Sequence, residues 1–366
     1  MDVLLSRYNQ EKRNGKKIIS SSCIVRKRGT LLHVCLNSPG CRYRNSGSCT
    51  MCDYGEGSRL TVEELVAFWP QIKEASDGMS SILIGSLGSV LDTEEVSLEC
   101  LEKICEFLNE MPLETTIFET HYTMINDEIC RWLRQHLPDK DIVIEVGLES
   151  TDLVVQEKCL NKTIDLTILE SKIELVHKYG MCITANAFLG APFLSVSEQI
   201  EDTEKTIQWA VEHSVDSVVL FPANIRENTL LNILYKEGKY SRIHHWAVFE
   251  VLIRMPWNYL NRIYLAWYGD WIDYNKDGGR ENLPPYCCER CAGKWMEFYH
   301  HFLEETDNSG RRRILMLYGE ALASGCTCRR DFEEDLRVST REERERRIED
   351  ESKWLADKLF LQQINM

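Results

Sequence analysis

Three cysteines stand close together early in the chain, within the segment NSPGCRYRNSGSCTMCDYG. Cys41, Cys49 and Cys52 are separated by seven residues and then by two. The segment is rich in Gly, Ser and Asn, and it comes after an apolar, strand-like run from Leu31 to Leu36. Glycines allow such a loop to fold back on itself, which would bring three sulfurs to one place. Thiols grouped in this way predict a metal centre.

Two kinds of metal centre fit these thiols. A [4Fe–4S] cluster has four irons that thiolates usually hold, so three cysteines leave one iron open to a substrate. A structural zinc ion normally takes four ligands, and His33 or Cys35 would then supply the fourth. Scattered buried thiols are a third interpretation. The spacing favours the open cluster over zinc.

The run C-x7-C-x2-C, with Met51 before the last cysteine and Tyr54 after it, resembles the radical S-adenosylmethionine (SAM) superfamily. The long first gap is similar to the branch of the elongator catalytic subunit and the archaeosine-forming enzyme, over about residues 23 to 260. The resemblance implies that SAM chelates the open iron and that an electron from the cluster cleaves a C–S bond to give a carbon radical. It also implies a reducing partner such as flavodoxin or ferredoxin.

Composition and charge narrow the class of protein. A chain of 366 residues can bury a large core. It has 15 cysteines and no apolar run of membrane length or signal peptide, so we expect a cytoplasmic, reducing location and no membrane partner. The net charge of −15 disfavours nucleic acid as a partner without excluding it, because phosphate contacts need clustered Lys and Arg. We expect the basic run Arg311, Arg312 and Arg313 to be solvated surface.

Strand and helix patterns alternate along the chain. Six apolar, strand-like segments are each succeeded by a helical segment, with helix starts predicted at Thr61, Asp92, Asn126, Asp165 and Ser197. This alternation predicts an α/β fold with a parallel sheet covered by helices. Six units predict a partial (β/α)6 barrel over residues 1–260. A C-terminal extension, aromatic-rich, cysteine-containing and mostly helical, would occupy residues 261–366.

Ligands of such sheets lie at the carboxyl ends of the strands, and the candidate SAM-binding residues fall there. The resemblance assigns the turn after the second strand to the SAM amino group, although GSLGS replaces the usual GGE-like sequence. It assigns the strand-end carboxylates of Glu119 and Glu149 to the ammonium or ribose, and Lys162 to the SAM carboxylate. The residues of the turn are Gly85, Ser86 and Gly88, and we expect Met51 and Asn224 to lie beside adenine through backbone atoms. Ordinary turns and solvated strand ends are the alternative.

A second group of five cysteines falls in the extension, within PPYCCERCAGKW and SGCTCRR. They are Cys287, Cys288, Cys291, Cys326 and Cys328. We predict one shared site, because a helical stretch from Glu297 to Ala323 that turns back near residues 308–310 would bring both segments together. Structural zinc, an auxiliary iron–sulfur cluster and thiols that act on a substrate all remain open.

The predicted function is that of a radical SAM enzyme, of transferase or lyase type, that modifies a small molecule. Cys-Cys-x-x-Cys also resembles a C-terminal motif of the arsinothricin-biosynthesis radical SAM enzyme. That likeness implies transfer of a 3-amino-3-carboxypropyl group from SAM to a soft acceptor such as trivalent arsenic. Modification of a tRNA base is a further alternative, and a metal-stapled binding module that cleaves no SAM is the non-enzymatic one.

Overall fold

The main sheet of the protein has eight strands. The computed structural model describes residues 23–28, 30–45, 48–52, 57–227, 229–266, 282–325, 327–336 and 339–364. The strands are β1 (Cys23–Arg28), β2 (Leu31–Leu36), β3 (Ser81–Ser86), β4 (Thr115–Thr120), β5 (Asp141–Glu149), β6 (Cys182–Leu189), β7 (Ser217–Pro222) and β9 (Ile263–Leu265). A separate pair consists of β8 (Ile225–Arg226) and β10 (Asn282–Leu283).

Helices alternate with the strands and then continue alone to the C-terminus. They are α1 (Val62–Ala75), α2 (Leu98–Asn109), α3 (Asp127–His136), α4 (Leu166–Lys178), α5 (Val196–Glu212), α6 (Leu230–Lys236), α7 (His245–Arg254), α8 (Glu289–Glu304), α9 (Asn308–Gly325), α10 (Cys328–Asp335) and α11 (Arg341–Ile364). A π-helical turn, Val155–Leu160, lies between β5 and α4. Within the described residues, no helix is both long and apolar enough to cross a membrane.

The topology confirms the predicted partial barrel. Strands β2 to β7 are parallel neighbours in chain order, as the six predicted strand–helix units require. Two edge strands were not predicted: β1 pairs antiparallel with β2, and β9 pairs parallel with β7. Because β9 reaches Leu265, the sheet continues just past residue 260, and the division of the chain at that point stays a proposal.

The two faces of the sheet differ in their side chains. Along β5, Ile142, Ile144, Val146 and Leu148 are buried, whereas Val143, Glu145 and Glu149 are half-buried. Alternate residues of a strand point to opposite faces, so one face of β5 is apolar and the other carries carboxylates. We call the second face, with its neighbours on β2 to β7, the inner face.

Local capping signals predicted most helix starts. Thr61 and Glu64 form the expected capping box, and Asn126 and Asp165 cap α3 and α4. The starts at Asp92 and Ser197 were wrong. Ser97 caps α2, whereas the Asp92 carboxylate binds Arg42 and accepts from the Glu94 N–H before the helix begins. Ser195 caps α5, because Glu198 three residues later closes a capping box there.

The C-terminal helices pack together and against the barrel. The predicted hairpin forms between α8 and α9, but its turn is residues 305–307, and the predicted turn residues 308–310 instead begin α9. Aromatic side chains of α7 and α8 form the core beside it. In α11, Arg344 binds Asp152 at 2.8 Å and Arg347 binds Glu198, while Leu355 and Leu359 are fully buried. The extension therefore folds back onto the strand–helix units.

Arg311 holds the hairpin to the end of the sheet, and its expected exposure was wrong. Its side chain is only 1% exposed. The guanidinium donates to the carbonyls of Leu260 at 2.5 Å, Ile263 at 2.7 Å and Glu305 at 2.6 Å. Three carbonyls that converge on one buried cation explain why this arginine is inside, whereas Arg312 and Arg313 are exposed as expected.

Replacing Arg311 with alanine should destabilise the protein strongly. The change leaves three backbone carbonyls without their donor, and each unsatisfied buried group costs about 1–3 kcal/mol, so we expect a loss of several kcal/mol. Urea unfolding monitored by circular dichroism measures this loss. Arg312→Ala is the matched control and should change stability by less than about 0.5 kcal/mol. Equal effects of the two changes would contradict the assigned role of Arg311.

Candidate functional site

The three N-terminal cysteines lie in the connection between β2 and α1, at the carboxyl end of the sheet. Cys41, Cys49 and Cys52 are each half-buried. Gly40 has a φ of 90°, which a residue with a side chain would rarely adopt, so this glycine permits the turn into Cys41. The pKa of the Cys49 thiol is raised, chiefly by burial. The charge of Lys162 lowers this pKa in part, and the neighbouring Cys52 and Cys41 raise it further. The thiols are thus near enough to one another, and to Lys162, to interact electrostatically.

A π-helical turn supports the backbone of this loop. The Thr50 N–H donates to the carbonyl of Leu160 at 3.0 Å, and the Thr50 hydroxyl donates to that of Cys159 at 2.9 Å. The Asn161 amide donates to the carbonyl of Ser48 at 2.9 Å, and the Tyr43 hydroxyl donates to that of Asn161 at 2.5 Å. These bonds hold the residues around Cys49 against the segment after β5.

The other side of the loop rests on the turn after β3. A Cβ atom added at Gly88 would lie 2.6 Å from the Cys41 nitrogen and would also meet the Glu95 carboxylate. Gly88 is therefore required for the close approach of the chain's own cysteine loop. Gly85 similarly makes room for Glu119, whose Oε2 would lie 2.6 Å from an added Cβ. A contact of either glycine with SAM stays a prediction.

Glu95 links the loop to this turn through one buried carboxylate. Its Oε2 accepts from the Ser89 N–H at 2.9 Å and from the Ser38 and Ser86 hydroxyls at 3.3 Å each. Burial raises the pKa of Glu95 to about 7. Ser38 precedes Cys41 and Ser86 ends β3, so this carboxyl group joins the two segments. Sequence reasoning missed Glu95 because its partners are distant in the chain.

Glu149 and Lys162 form an ion pair beside the cysteines. Lys162 Nζ donates to Glu149 Oε1 at 2.7 Å and to the Gly147 carbonyl at 2.7 Å. Glu149 has a φ of 64°, where the pairing of β5 with β6 shifts register. Strained conformations of this kind often occur at functional sites. The two residues are neighbours as the sequence suggested, but here each binds the other, and their contacts with SAM stay predictions.

Polar groups also line the inner face. Glu119 and Glu145 are paired across β4 and β5, and both are half-buried. Asn186 on β6 and Asn224 after β7 are 8% and 7% exposed. Among the described residues, no partner is found for the Oδ1 atom of either amide. These oxygens are therefore available to accept hydrogen bonds from a ligand.

His121 is a further residue that the sequence analysis missed. It comes directly after β4, and its backbone N–H donates to the Ser89 hydroxyl at 3.0 Å. Burial and the nearby Lys162 charge lower its pKa to about 4, so the imidazole is neutral at physiological pH. Its position at a strand end was the only signal available in the sequence. Met51, predicted beside adenine, is half-buried and packs against the core.

The second cysteine group is brought together in part. The ligand atoms of Cys288, Cys291 and Cys328 all lie within 4.8 Å of one another. Cys287 is half-buried and lies outside this tight group. Cys326 lies outside the described residues, as do Tyr54 and the aromatic segment 267–281. The structure thus joins residues from both predicted segments.

The partial barrel carries a loop of three cysteines at the carboxyl end of its strands. The resemblance to radical SAM enzymes, a class whose cofactors are a [4Fe–4S] cluster and SAM, requires this arrangement. The predicted resemblance to the branch of the archaeosine-forming enzyme is confirmed by sequence relatives. "Archaeosine synthase subunit beta" of Thermococcus kodakarensis is 29% identical over 245 residues, which cover 64% of this chain and 74% of the relative.

Two further comparisons are more distant. "Archaeosine synthase subunit beta" of Methanosarcina acetivorans is 26% identical over 227 residues, covering 60% of this chain and 65% of that protein. The crystal structure of methylornithine synthase (PylB) has a TM-score of 0.47 and 17% identity, covering 86% of this chain and 88% of that one. No protein-family model matches the chain.

Replacing Glu95 with glutamine should flatten the dependence of stability on pH. The pKa of Glu95 is about 7 when folded, above its ordinary value of 4.5, so the folded state binds more protons between these values. Stability should therefore fall as pH rises towards 7, by at most about 3 kcal/mol. Anaerobic unfolding at several pH values measures the slope, which Glu95→Gln should reduce. Glu94 is the exposed residue next to Glu95, and Glu94→Gln should retain the slope. Identical slopes in all three proteins would refute the role of Glu95.

Proposed function

We propose that this enzyme binds a [4Fe–4S] cluster through Cys41, Cys49 and Cys52 and modifies a polar small molecule on the inner face. One observation carries the proposal. The cysteine loop, the Glu149–Lys162 pair and the glutamates of β4 and β5 lie at the same end of one parallel sheet. Ligands of parallel α/β sheets bind at this end.

The thiols suit a cluster better than a single metal ion. Among the described residues, the group whose ligand atoms all lie within 4.8 Å is Cys288, Cys291 and Cys328, and it does not include the loop cysteines. Thiolates of a [4Fe–4S] cluster each bind a different iron and stand about 6 Å apart. The three thiols of the supported loop do not all lie within 4.8 Å of one another, which agrees with that requirement, and three ligands leave one iron for SAM.

The surrounding charges suit the groups of SAM. Its ammonium and sulfonium are positive, and the Glu119 and Glu149 carboxylates offer charge-assisted acceptors. Its carboxylate is negative, and Lys162 is a cation beside Cys49. The amide oxygen of Asn224, which has no partner among the described residues, suits the exocyclic amine of adenine. The assignments of Glu119, Glu149 and Lys162 agree with those that the resemblance implies, whereas Asn224 was expected to contact adenine through its backbone.

When bound, the cluster supplies the electron that cleaves a C–S bond of SAM, as in the class as a whole. The chain's own residues then have positioning roles. Glu145 and Asn186 lie one strand apart on the inner face and would orient the substrate by hydrogen bonds. Phe188 on β6 and Phe221 on β7 are paired neighbours that would exclude water from the substrate pocket. The neutral His121 would accept or donate a proton at its Nε2 atom.

A small substrate agrees with the charge of the chain. The net charge is −15, and the inner face presents Glu119, Glu145 and Glu149 beside Lys162. A polyanionic substrate would be repelled by this face, whereas a substrate with an amine or several hydroxyls would be attracted. We therefore infer a substrate that is neutral or cationic at its reacting end.

Modification of a tRNA base is the second candidate function. It is favoured by the two relatives named as archaeosine synthase subunits. A base alone would fit a face that repels phosphates, provided that another surface or subunit binds the RNA. Binding of unfractionated tRNA that weakens steeply with salt would favour this function, because phosphate contacts release counterions. Absence of such binding would favour the small molecule.

Replacing Cys41, Cys49 and Cys52 with alanine should abolish cleavage of SAM. The three changes remove every proposed ligand of the cluster, so iron in the loop and its visible absorbance should also be lost. Anaerobic reconstitution, iron and sulfide analysis and chromatography of SAM products measure these effects. Cys182→Ala, at an exposed cysteine at the start of β6, is the control and should behave as wild type.

The products of SAM also identify the chemistry. 5′-Deoxyadenosine indicates the usual cleavage, and methylthioadenosine indicates transfer of the 3-amino-3-carboxypropyl group. Undiminished cleavage in the triple variant would refute the cluster assignment. Absence of any cleavage by the reconstituted wild type would instead favour a binding module.

Replacing Glu119 or Glu149 with glutamine should weaken SAM binding without loss of iron. A hydrogen bond to a charged group contributes about 1.5–3 kcal/mol, so we expect a roughly 10- to 150-fold rise in Kd. Equilibrium dialysis with the reconstituted protein measures the affinity. Glu114→Gln is the matched control, because Glu114 is exposed just before β4, at the amino end of the same strand. Wild-type affinity in both site variants would show that neither carboxylate contacts SAM.

A further inference from the structure

We infer that Cys288, Cys291 and Cys328 form a site for one zinc-type metal ion, separate from the N-terminal loop, that fastens the C-terminal helices to the barrel. The three ligand atoms lie within 4.8 Å of one another, and the sulfurs of Cys291 and Cys328 are 3.6 Å apart. The inference does not rest on the proposed function.

The sulfur separation distinguishes the possible uses of these thiols. A disulfide bond is about 2.05 Å long, so Cys291 and Cys328 are not bonded to each other. Thiolates around one tetrahedral zinc, with Zn–S of about 2.3 Å, stand about 3.8 Å apart. Thiolates of a [4Fe–4S] cluster stand about 6 Å apart, because each binds its own iron. The measured 3.6 Å matches one shared metal ion and is far too short for a second cluster.

The helix ends at the site provide independent support. Cys288 is the N-cap of α8, and Cys328 is the first residue of α10. Within the described part of the chain, neither helix start has a side-chain cap hydrogen bond. The N–H groups and the dipole of a helix stabilise negative charge at such ends. Two such helix starts that meet at three sulfurs therefore favour thiolates, the form that binds a metal.

The surroundings make this a fastening site rather than a substrate site. Cys291 is 2% exposed and Cys328 is 8% exposed, which leaves little access for a substrate. Arg329, next to Cys328, binds Glu250 of α7 at 2.6 Å. The segment before Cys287 is held by the bond from the Tyr286 N–H to the Ile243 carbonyl at 2.8 Å. One ion would thus join α8 and α10 where both contact α7.

Zinc takes four ligands in structural sites. Three come from the tight group, and the fourth position is left to Cys287, which directly precedes Cys288 and is half-buried, or to solvent. Borderline-soft zinc suits this thiolate set better than hard cations such as magnesium or calcium, which prefer oxygen ligands.

The experiment uses the full chain with Cys41, Cys49 and Cys52 changed to alanine, so that the loop holds no iron. We expect this variant to bind about one zinc per chain and little iron. Cobalt(II) should replace the zinc and give the intense visible bands of a tetrahedral thiolate site. Adding Cys291→Ser and Cys328→Ser to this variant should remove both the bound zinc and the cobalt bands. Adding Cys182→Ser instead should retain both. A strong chelator should lower the Tm of the parent variant.

Other results would overturn the inference. Iron and sulfide in the loop-deficient variant would show a second cluster. No uptake of zinc or cobalt would show that the sulfurs are buried thiols. An octahedral cobalt spectrum would exclude the thiolate site. If the double serine change prevents folding, the cobalt spectrum of the folded parent variant still shows whether a tetrahedral thiolate site exists. Because the loop cysteines are absent throughout, failure here leaves the proposal for SAM cleavage untouched.

Discussion

The site depends on how the backbone of the cysteine loop is held. Three thiols can serve one cluster only if their loop, in which the described regular structure is one short 3-10 helix (Arg42–Asn45), keeps them at fixed positions. Hydrogen bonds from Thr50 to the carbonyls of Cys159 and Leu160 provide that support on one side. Glu95 provides it on the other, by joining Ser38 to the end of β3. The loop is therefore ordered by two segments that the parallel sheet brings to the same end.

Local signals predicted the fold well, and contacts between distant residues explain what they missed. Apolar runs identified β2 to β7, and side chains three residues apart identified most helix starts. Asp92 looked like a cap by the same rule, but its partner Arg42 is 50 residues away. Glu95 and Ser38 are 57 residues apart. The cysteines, glutamates and Lys162 of the candidate site were found because strand ends and residue types mark them. The hydrogen bonds between these residues could not be predicted from the sequence, because they depend on strand register and loop geometry.

Buried charged residues likewise depend on contacts between distant parts of the chain rather than on local sequence signals. Arg311 lies in a run of three arginines that is indistinguishable, by composition, from a solvated surface. Its guanidinium is buried because the hairpin of α8 and α9 places it where the carbonyls of Leu260, Ile263 and Glu305 converge. Glu250 and Arg329 likewise pair across 79 residues. In this extension, charged side chains connect elements that a pattern of apolar residues alone would leave unassigned.

The π-helical turn Val155–Leu160 makes the number of residues in that segment matter more than their identity. A π-helix contains about one residue more per turn than an α-helix. An α-helical turn follows nearly the same path with one residue fewer, so the wider turn accommodates one additional residue without rotating the chain that follows it. A further inserted residue has no such accommodation and would rotate Asn161 and Lys162 by about 100°, away from Ser48 and Glu149, whatever their side chains. Insertions in related chains should therefore fall in surface connections such as the one after α1, and spare this single turn.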